Sequence, residues 1–444
     1  MVRLRHSLFV FLAAAGLAGG AGAETPVGGR VAGPDGRGLA GVRVALEPVP
    51  EDFERVAIRL DGDAGPPPEA EATTDADGYF ELLAPRLGAW KVVVPWGTTG
   101  YVVQETILRP LHEPAELPDV ELRPASTLEV RVLDADGAPA DARIGLSDAG
   151  SSSERWRPRL RLARTGEDGV ARLAAGGDEE PRLEALGPSH PLIVVEGEEA
   201  APKDGRVDVR LPRGVAGTVT VVDARGRRVA GAVAYQETGI VPLGRTDGEG
   251  RLRLTVAPPE NEAPGVNVLT ADGRRGYFEP RFAPDGTNEA EVVVEPLRAV
   301  RGRVVDRESR DGVAGALVWL HRGPIAETDA RGNYELRLFP SRQIMIQAVA
   351  EGYARAVELK TFDSPESEDG PTFALEPAAA VSGSVVDSEG RPVAGVDVTA
   401  EALGDVMTAR YPPFRRDAPS ARSTRAGRFF LSGLSPAACY GLRL

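Results

Sequence analysis

The sequence predicts an all-β protein made of small β-sandwich units that follow one another along the chain. Three observations lead to this fold class: short stretches in which apolar and polar residues alternate, frequent glycine and proline, and two phrases that recur at the spacing of a small domain. Glycine (52) and proline (37) make up about a fifth of the 444 residues, which is typical of many tight turns between short strands. Aromatic residues account for only 5%, so the cores are expected to consist of valine, leucine and alanine.

The first repeated phrase is an apolar strand, a polar turn that contains glycine, and a second strand that opens on Ala-Gly-Val or a variant of it. Residues 381–396 (VSGSVVDSEGRPVAGV) show it most clearly. The strand and turn fit a hairpin and a corner between two sheets equally well. The second strand opens at five places: Ala40-Gly41-Val42, Ala140-Asp141-Ala142, Ala230-Gly231-Ala232, Ala314-Gly315-Ala316 and Ala394-Gly395-Val396.

The spacing of these five triplets is that of a domain. Their middle residues lie 100, 90, 84 and 80 positions apart. Solenoid repeats reach only about 50 residues. Each unit is therefore expected to fold on its own core, and the short linkers that follow each closing strand predict a semi-rigid string of units.

The second repeated phrase has the spacing Thr-x-x-x-Gly and precedes a strand with alternating apolar residues. It stands at residues 74–78, 165–169, 246–250 and 328–332, and Ser423 takes the threonine position in the last unit. Alternation with a period of two predicts a strand that is buried on one face. A further apolar strand, a Gly-Tyr pair in three units and a closing strand before a proline complete the pattern.

These landmarks divide the chain into a leader at residues 1–23 and five predicted sandwiches at residues 24–124, 125–211, 212–297, 298–378 and 379–444. The second sandwich has lost the Gly-Val and Gly-Tyr features and is the degenerate copy. In the fifth, the last residues align with residues 344–348 of the fourth, so one or two closing strands are missing. An open sheet edge favours aggregation. Either the sequence is a fragment of a longer protein, which the aggregation risk favours, or its last domain is incomplete and exposes a strand edge.

With these features in view, the units resemble carboxypeptidase regulatory-like domains, the transthyretin-like β-sandwich modules that bacteria string together in exported proteins. The resemblance rests on the order strand, D-x-x-G, AGV strand, T-D-x-x-G-x-F, strand, GY, strand, and it is best in the fourth and fifth units. It implies tandem Ig-like or transthyretin-like sandwiches over nearly all of the mature chain. It implies little about function, because the motif holds turns and core. In the metallocarboxypeptidases, the zinc and the catalytic glutamate belong to a separate α/β domain, and nothing similar occurs in this sequence.

The first 23 residues are predicted to be a cleaved secretory signal. They combine a basic start with an apolar run from Leu8 to Leu17 and a small-x-small triplet, Ala21-Gly22-Ala23, before the expected cleavage. The apolar run is too short to cross a bilayer, and an uncleaved anchor is the alternative. The sequence therefore indicates an exported bacterial protein, in the periplasm, on the outer surface or outside the cell, with no transmembrane segment after cleavage.

The charge of the chain argues against two classes of partner. Its formal net charge of −14 is unfavourable for nucleic acid and for anionic membranes, both of which need a basic surface. A protein or glycan partner stays open. The single cysteine, Cys439, excludes an intramolecular disulfide and is predicted to be a buried, inert thiol because its neighbours in sequence are apolar.

The sequence predicts no catalytic residue, no cofactor and no metal site. The three histidines of the mature chain, His112, His190 and His321, lie in different units, whereas a zinc site needs clustered ligands. A Gly-x-Ser-x-Gly nucleophile motif does not occur. Asp-x-Asp-Gly at residues 75–78 and 134–137 lacks the further acidic positions of a calcium loop and is predicted to be a capped turn.

Exposed aromatic side chains are the remaining candidates for a binding site, because flat aromatic faces stack on sugar rings. Trp90 alternates within a strand and is expected in the core. The possible ligand-contacting aromatics are Trp96, Tyr101, Trp156 and Tyr411, all in predicted loops. Two long insertions, residues 48–72 and 402–420, are predicted to be loops without regular structure, either functional or simply mobile.

Three hypotheses on function follow. The first is a non-catalytic scaffold or binding protein of the cell envelope, and the second is an array of carbohydrate-binding modules. The third is the N-terminal accessory region of a larger surface enzyme or transporter. Two coplanar exposed aromatics on one unit would favour the second hypothesis, and the reading frame after Leu444 would test the third.

Overall fold

The computed structural model describes residues 5–6, 25–62, 65–85, 88–97, 100–111, 115–117, 119–148, 157–176, 181–236, 241–258, 264–284, 286–320, 325–338, 343–362, 368–393, 395–402, 420–424, 426–436 and 438–444. Their regular structure is nearly all β-strand, arranged in many small sheets, which confirms the predicted tandem β-sandwiches. None of the helices in this part of the chain has both the length and the apolar character needed to span a bilayer.

Five large clusters of buried apolar side chains follow one another along the described chain. We call the corresponding stretches units 1 to 5. The clusters extend from Val27 to Leu122, Leu128 to Leu211, Val215 to Val294, Val300 to Leu375 and Val385 to Leu434. Each cluster takes side chains from two sheets that pack face to face, as in a sandwich.

Unit 4 shows the shared topology. In its first sheet, Arg298–Asp306 is central and pairs antiparallel with Asn333–Leu338 and parallel with Asp369–Leu375. Its second sheet contains, in spatial order, Ile325–Glu327, Leu317–Leu320, Gln343–Val349 and Ala356–Thr361. The strands before and after the polar turn lie in different sheets. The first repeated phrase is therefore a corner between sheets and not a hairpin.

Units 1 and 2 have the same two-sheet plan with additional short elements. The strands of unit 1 are Thr25–Ala32, Arg43–Pro48, Ala70–Thr73, Tyr79–Ala84, Gly88–Val94, Gln104–Leu111, Ala115–Glu116 and Val120–Glu121. Those of unit 2 are Ser126–Leu133, Arg143–Asp148, Arg157–Pro158, Arg161–Arg164, Val170–Ala175, Pro181–Leu186, Ile193–Val195 and Arg206–Arg210, with a short 3-10 helix at Gly197–Glu199.

The two sheets of unit 3 join into one seven-stranded sheet, because Arg274–Phe278 pairs with Glu289–Pro296. The other strands of unit 3 are Val215–Asp223, Val233–Gln236, Gly244–Arg245, Arg251–Val256 and Val266–Leu269. Unit 5 contains Ala379–Ser384, Asp397–Ala402, Ser420–Arg422, Arg428–Leu434 and Tyr440–Arg443. A two-residue strand within the predicted leader, Arg5–His6, pairs antiparallel with the end of Ala379–Ser384.

The alternation in the sequence decides which face of each strand meets the core. In Tyr79–Ala84 the buried residues are Phe80, Leu82 and Ala84, and the residues between them are exposed. The glycine of the second phrase is required both by the turn, which needs a positive φ, and by the close approach of the central strand. Gly332 has φ of 79°, and a Cβ on it would overlap the carbonyl oxygen of Val304 on the central strand.

The insertion at residues 48–72 is not without regular structure, contrary to the prediction. It contains a helix, α1, at Asp52–Asp61, with two acidic residues in its first turn and Arg59 in its last. Gly62 ends it in the left-handed conformation and donates its N–H to Ile58. The backbone groups within a helix bond to one another, so one side of the helix can be buried without leaving them unpaired. Val56 is the buried residue of this helix. The other insertion, except for residues 402 and 420, lies outside the described residues.

Candidate functional site

The threonine of the second repeated phrase joins the two phrases of each unit. Its hydroxyl oxygen accepts the N–H of the third residue of the Ala-Gly-Val triplet at 2.8–2.9 Å. It donates at 2.5–2.9 Å to the carbonyl of the residue before that triplet or, in unit 2, to the carbonyl of Ala140, the first residue of the triplet. Ser423 makes the same two bonds in unit 5. All five hydroxyl residues, Thr74, Thr165, Thr246, Thr328 and Ser423, are 5–8% exposed. The phrase is therefore a structural device.

The aspartates of the Asp-Gly turns are occupied as caps. The Oδ1 of Asp75 accepts the N–H groups two and four residues further on, both at 2.9 Å. Asp134 and Asp247 repeat this geometry, and the backbone bonds lower the pKa of both carboxyls. At Asp223 the N–H and the guanidinium of Arg227 lower the pKa to about 2. This is the capped-turn geometry that the sequence predicts.

Metal-binding chemistry finds no support in the described residues. They contain no group of three or more histidine, cysteine, aspartate or glutamate side chains that could hold a metal ion. His112 and His321 lie outside the described residues, and the Nδ1 of His190 lies 3.1 Å from the carbonyl oxygen of Pro212. Cys439 is exposed, contrary to the prediction of a buried thiol, because it lies in the connection before the last strand, Tyr440–Arg443, and not within a strand.

The predicted ligand-contacting aromatics do not form an exposed face in the described part of the chain. Trp96 and Tyr101 both belong to unit 1 and are half-buried. The N–H of Trp96 donates to the carbonyl of Arg43, and Tyr101 packs against the core of the unit. Trp156 and Tyr411 lie outside the described residues. Trp90 is a fully buried core residue, as predicted.

The distinctive chemistry lies elsewhere, on what we call the outer face of each second sheet, which is the face turned away from the unit's own core. In unit 1 this face carries Glu47, which is 1% exposed. Its carboxylate lies 2.7 Å from the Nζ of Lys91 and 3.0 Å from the Nη1 of Arg159, a residue of unit 2. Arg157–Pro158 of unit 2 also adds an edge strand to the sheet of unit 1. A buried carboxylate here is compensated by cations from both units.

The outer face of unit 2 carries a second buried carboxylate, Glu184, which is 0% exposed. One oxygen lies 2.9 Å from the guanidinium of Arg182 in the same unit. The other accepts the N–H of Val241, a residue of unit 3, at 2.9 Å. The contact again joins one unit to the next through a buried charge.

The outer face of unit 3 carries an apolar patch that receives helix α1 of unit 1. Val56 of the helix packs with Val233 and Leu269 of the sheet, and Phe53, Ala57, Leu60 and Tyr235 lie around them. At the end of the helix, Asp61 pairs with Arg245 of unit 3 at 2.6 Å. The helix thus joins two units that are not neighbours in sequence.

The outer face of unit 4 also carries a buried apolar patch. Leu317, Trp319 and Val349 are 3–5% exposed and pack together with Ile325. Gln347 lies opposite Trp319 across the strand pair and is 0% exposed. Among the described residues, neither polar atom of its amide has a hydrogen-bond partner. The equivalent positions of units 2 and 3 carry Glu184 and Asn267, whose side chains are bonded.

Two further contacts connect distant parts of the chain. Arg422 of unit 5 donates to Asp119 and to the carbonyl of Leu117 in unit 1, at 3.0 and 3.3 Å. Ser435 of unit 5 donates to Glu376 at 3.0 Å. The sequence predicted the row of units but not these contacts.

One sequence signal could have indicated the contacts. Arg159, Val241 and α1 all come from the same place in their units, the connection between the Ala-Gly-Val strand and the Thr-x-x-x-Gly phrase. This connection varies in length, and the longest examples were recognised as insertions. Their role as contacts with other units could not be read from the sequence, because the partner residues lie 57 to 184 positions away.

The fold and its contacts define a protein of tandem β-sandwich units. The chain matches no protein-family model, and it matches no curated protein. It is similar to solved structures that include a streptococcal ancillary pilin, with 12% identity, 62% of this chain and 100% of the other covered, and a TM-score of 0.19. The full-length RrgB pilus protein from Streptococcus pneumoniae is 10% identical, the match covers 81% of this chain and 99% of the other, and the TM-score is 0.17. A DUF3823 family protein from Parabacteroides merdae is 14% identical, the match covers 37% of this chain and 90% of the other, and the TM-score is 0.17. Likenesses at these scores assign no function.

Proposed function

We propose that this chain is an exported, non-catalytic scaffold or binding protein of the cell envelope, built from carboxypeptidase regulatory-like modules. One observation carries the proposal: the outer sheet faces of units 1, 2 and 3 are used to join units to one another. A buried ion pair, a buried carboxylate that accepts a backbone N–H, and a docked helix at these joints support a fixed relative position of the sandwiches, which is what a spacer needs.

The side-chain chemistry of the repeats supports the same function. The residues that recur in every unit are buried hydroxyls and capping aspartates, and both are bonded to backbone groups. Groups engaged in this way hold corners and turns and are not available to a substrate. The repeated sequence is therefore explained by folding.

Export is tested by expressing the chain with its native leader in a bacterial host and fractionating the cells. We expect the protein outside the cytoplasm with Glu24 as its first residue, because the small-x-small triplet precedes that position. A matched variant that lacks residues 8–17 should stay in the cytoplasm. Full-length, uncleaved wild-type protein in the cytoplasm would contradict the proposal.

The binding class is tested with the exported protein on a glycan array and, in parallel, by small-angle X-ray scattering. If the chain is a scaffold, we expect no glycan signal. We also expect the same scattering profile at low and at moderate salt, because salt screens buried charges only weakly. A saturable glycan signal that Trp96→Ala removes would favour the carbohydrate-binding alternative. A profile that changes to that of a flexible chain would contradict a fixed scaffold.

A further inference from the structure

A cavity of about 340 Å³ lies where units 1, 2 and 3 meet. Unit 2 contributes the start of Arg143–Asp148 and the turn that contains His190. Unit 3 contributes Leu243 and residues 253–255, and Leu60 of helix α1 completes the wall. Its size lies within the range of small-molecule sites. The cavity exists only because the helix and two sandwiches are held together.

The charge of this cavity is opposite to that of the protein. Arg143, Arg164 and Arg253 line it against a single carboxylate, Asp141. Asp141 is already engaged, since both of its oxygens accept bonds from Arg164, at 3.0 and 2.8 Å. Two guanidinium charges therefore remain without a paired carboxylate in the lining, in a chain whose net charge is −14.

Arg143 is the residue that most needs an anion. Its side chain is half-buried, and its Nη2 donates to the carbonyl of Leu243, a neutral group, at 3.2 Å. Burial, followed by the nearby charge of Arg164, lowers the pKa of Arg143. A buried cation is stabilised when an anion accepts its hydrogen bonds.

The rest of the lining is partly apolar. Leu60, Leu243 and Leu254 line the cavity together with the arginines, and His190 and Thr255 add polar groups. Gly187 lets His190 approach, since a Cβ on it would lie 2.8 Å from the imidazole Cδ2. Guanidinium groups beside leucine side chains suit a ligand with a planar anionic group on a small apolar body.

We propose that this cavity binds a small organic carboxylate, with Arg143 and Arg253 on the carboxylate and the leucines of α1 and unit 3 on its apolar part. Of the two arginines, Arg143 is half-buried and Arg253 is exposed to solvent. The site rests on the contacts that hold units 1, 2 and 3 together, but it does not depend on export or on a location in the cell envelope.

The test is calorimetric titration of the full chain with benzoate, with benzamide as the neutral match and inorganic phosphate as an anion without an apolar body. We expect saturable binding of benzoate and at least about tenfold weaker binding of the other two, because benzamide lacks the charge that strengthens hydrogen bonds to guanidinium groups and phosphate lacks the apolar contacts. No saturable benzoate binding, or equal binding of benzamide, would overturn the proposal.

Variants assign the binding to this cavity. Arg143→Gln and Arg253→Gln should each weaken benzoate binding by about tenfold or more. Arg253 is exposed, so its variant keeps the fold even if Arg143→Gln does not. Arg251→Gln removes the same charge two residues away, where the side chain pairs with Glu249, and should bind like the wild type. Unchanged affinity in Arg253→Gln, or an equal loss in Arg251→Gln, would place the binding elsewhere and contradict the proposal.

Discussion

A buried hydroxyl is the residue-scale reason for the clearest repeat in the sequence. In unit 3, Thr246 accepts the N–H of Ala232 and donates to the carbonyl of Val229, both at 2.9 Å. Valine has the same shape but no hydroxyl, so it would leave two buried backbone groups without a partner. Serine keeps the hydroxyl, as Ser423 does in unit 5.

We therefore expect Thr246→Val to lower the free energy of unfolding by about 1–3 kcal/mol, and Thr246→Ser to lower it less. Urea denaturation of the full chain, followed by intrinsic fluorescence or circular dichroism, measures both. Thr220→Val, on a half-buried strand position of the same unit, is the control. Equal stability of Thr246→Val and the wild type would show that the hydroxyl is dispensable.

The capping carboxylate of Asp223 makes stability depend on pH. Its folded pKa of about 2 lies below the usual value of about 3.9, so the charged form stabilises the fold above about pH 4. That contribution is lost as the pH falls towards 2, when the folded state is protonated as well. Asp223→Asn should therefore be less stable than the wild type at pH 7, and the difference should shrink near pH 2.5.

Urea unfolding of the two proteins at both pH values measures this difference. Glu291→Gln, at an exposed position of the same unit, is expected to match the wild type at both. A difference between wild type and Asp223→Asn that is the same at pH 2.5 as at pH 7 would contradict the carboxylate's role.

Gln347 is a residue at which a substitution is expected to raise the free energy of unfolding. Its amide is fully buried on the outer face of unit 4, and its two polar atoms have no partner among the described residues. Each unpaired buried polar group costs about 1–3 kcal/mol. Methionine has nearly the same length and no such groups, so Gln347→Met should raise the free energy of unfolding by about 1 kcal/mol or more.

Thermal and urea denaturation compare this variant with Gln347→Glu, which places a charge at the same site and should destabilise strongly. If Gln347→Met is less stable than the wild type, the amide has a partner that stabilises the fold.

At the scale of elements, helix α1 is held by its contact with another unit. Its sequence alone favours the helix only weakly, since ten residues are too few for a stable isolated helix in water. Val56 supplies the buried contact with Val233 and Leu269. The helix therefore depends on unit 3 being folded and in place.

Val56→Asp should release the helix, because a carboxylate would be buried among apolar side chains. Trypsin should then cut after Arg55 and Arg59, which lie within the helix, much faster than in the wild type. Glu54→Ala changes an exposed position of the same helix and should leave the cleavage rate unchanged. Equal rates for Val56→Asp and the wild type would show that the helix is not held by this contact.

At the scale of the whole molecule, buried charge joins the first two units. Glu47 contacts a lysine of its own unit and Arg159 of unit 2 while it is 1% exposed. Removing one member of a buried ion pair costs about 3–5 kcal/mol. Without Glu47, Lys91 would keep Glu105 at 3.7 Å, but Arg159 would lose the carboxylate with which it pairs. Glu47→Ala should therefore destabilise units 1 and 2 together.

Differential scanning calorimetry of the full chain tests this, with Asp136→Ala as the control. Asp136 pairs with Arg213 at 2.7 Å, but both side chains are more than two-thirds exposed, so its loss should cost less than about 1 kcal/mol. If the two variants melt alike, the buried pair does not hold the units together.

The sequence by itself determined the tandem β-sandwich fold and the two repeated phrases. It could do so because alternation with a period of two states which side of a strand meets its own core, and glycine, threonine and aspartate mark the corners. Trp90 in the core and the capped Asp75 turn both follow from neighbours close in sequence.

Only the tertiary structure decided what lies on the outer faces. The partners of Glu47 and Asp61 are Arg159 and Arg245, which are 112 and 184 positions away, and Arg422 meets Asp119 across 303 positions. A periodic pattern records that a face is buried or exposed but not which distant segment covers it. The helix in the first insertion and the arginine-lined cavity both depend on how the units pack, which no pattern close in sequence records, and the ligand-contacting role of the loop aromatics stays a prediction.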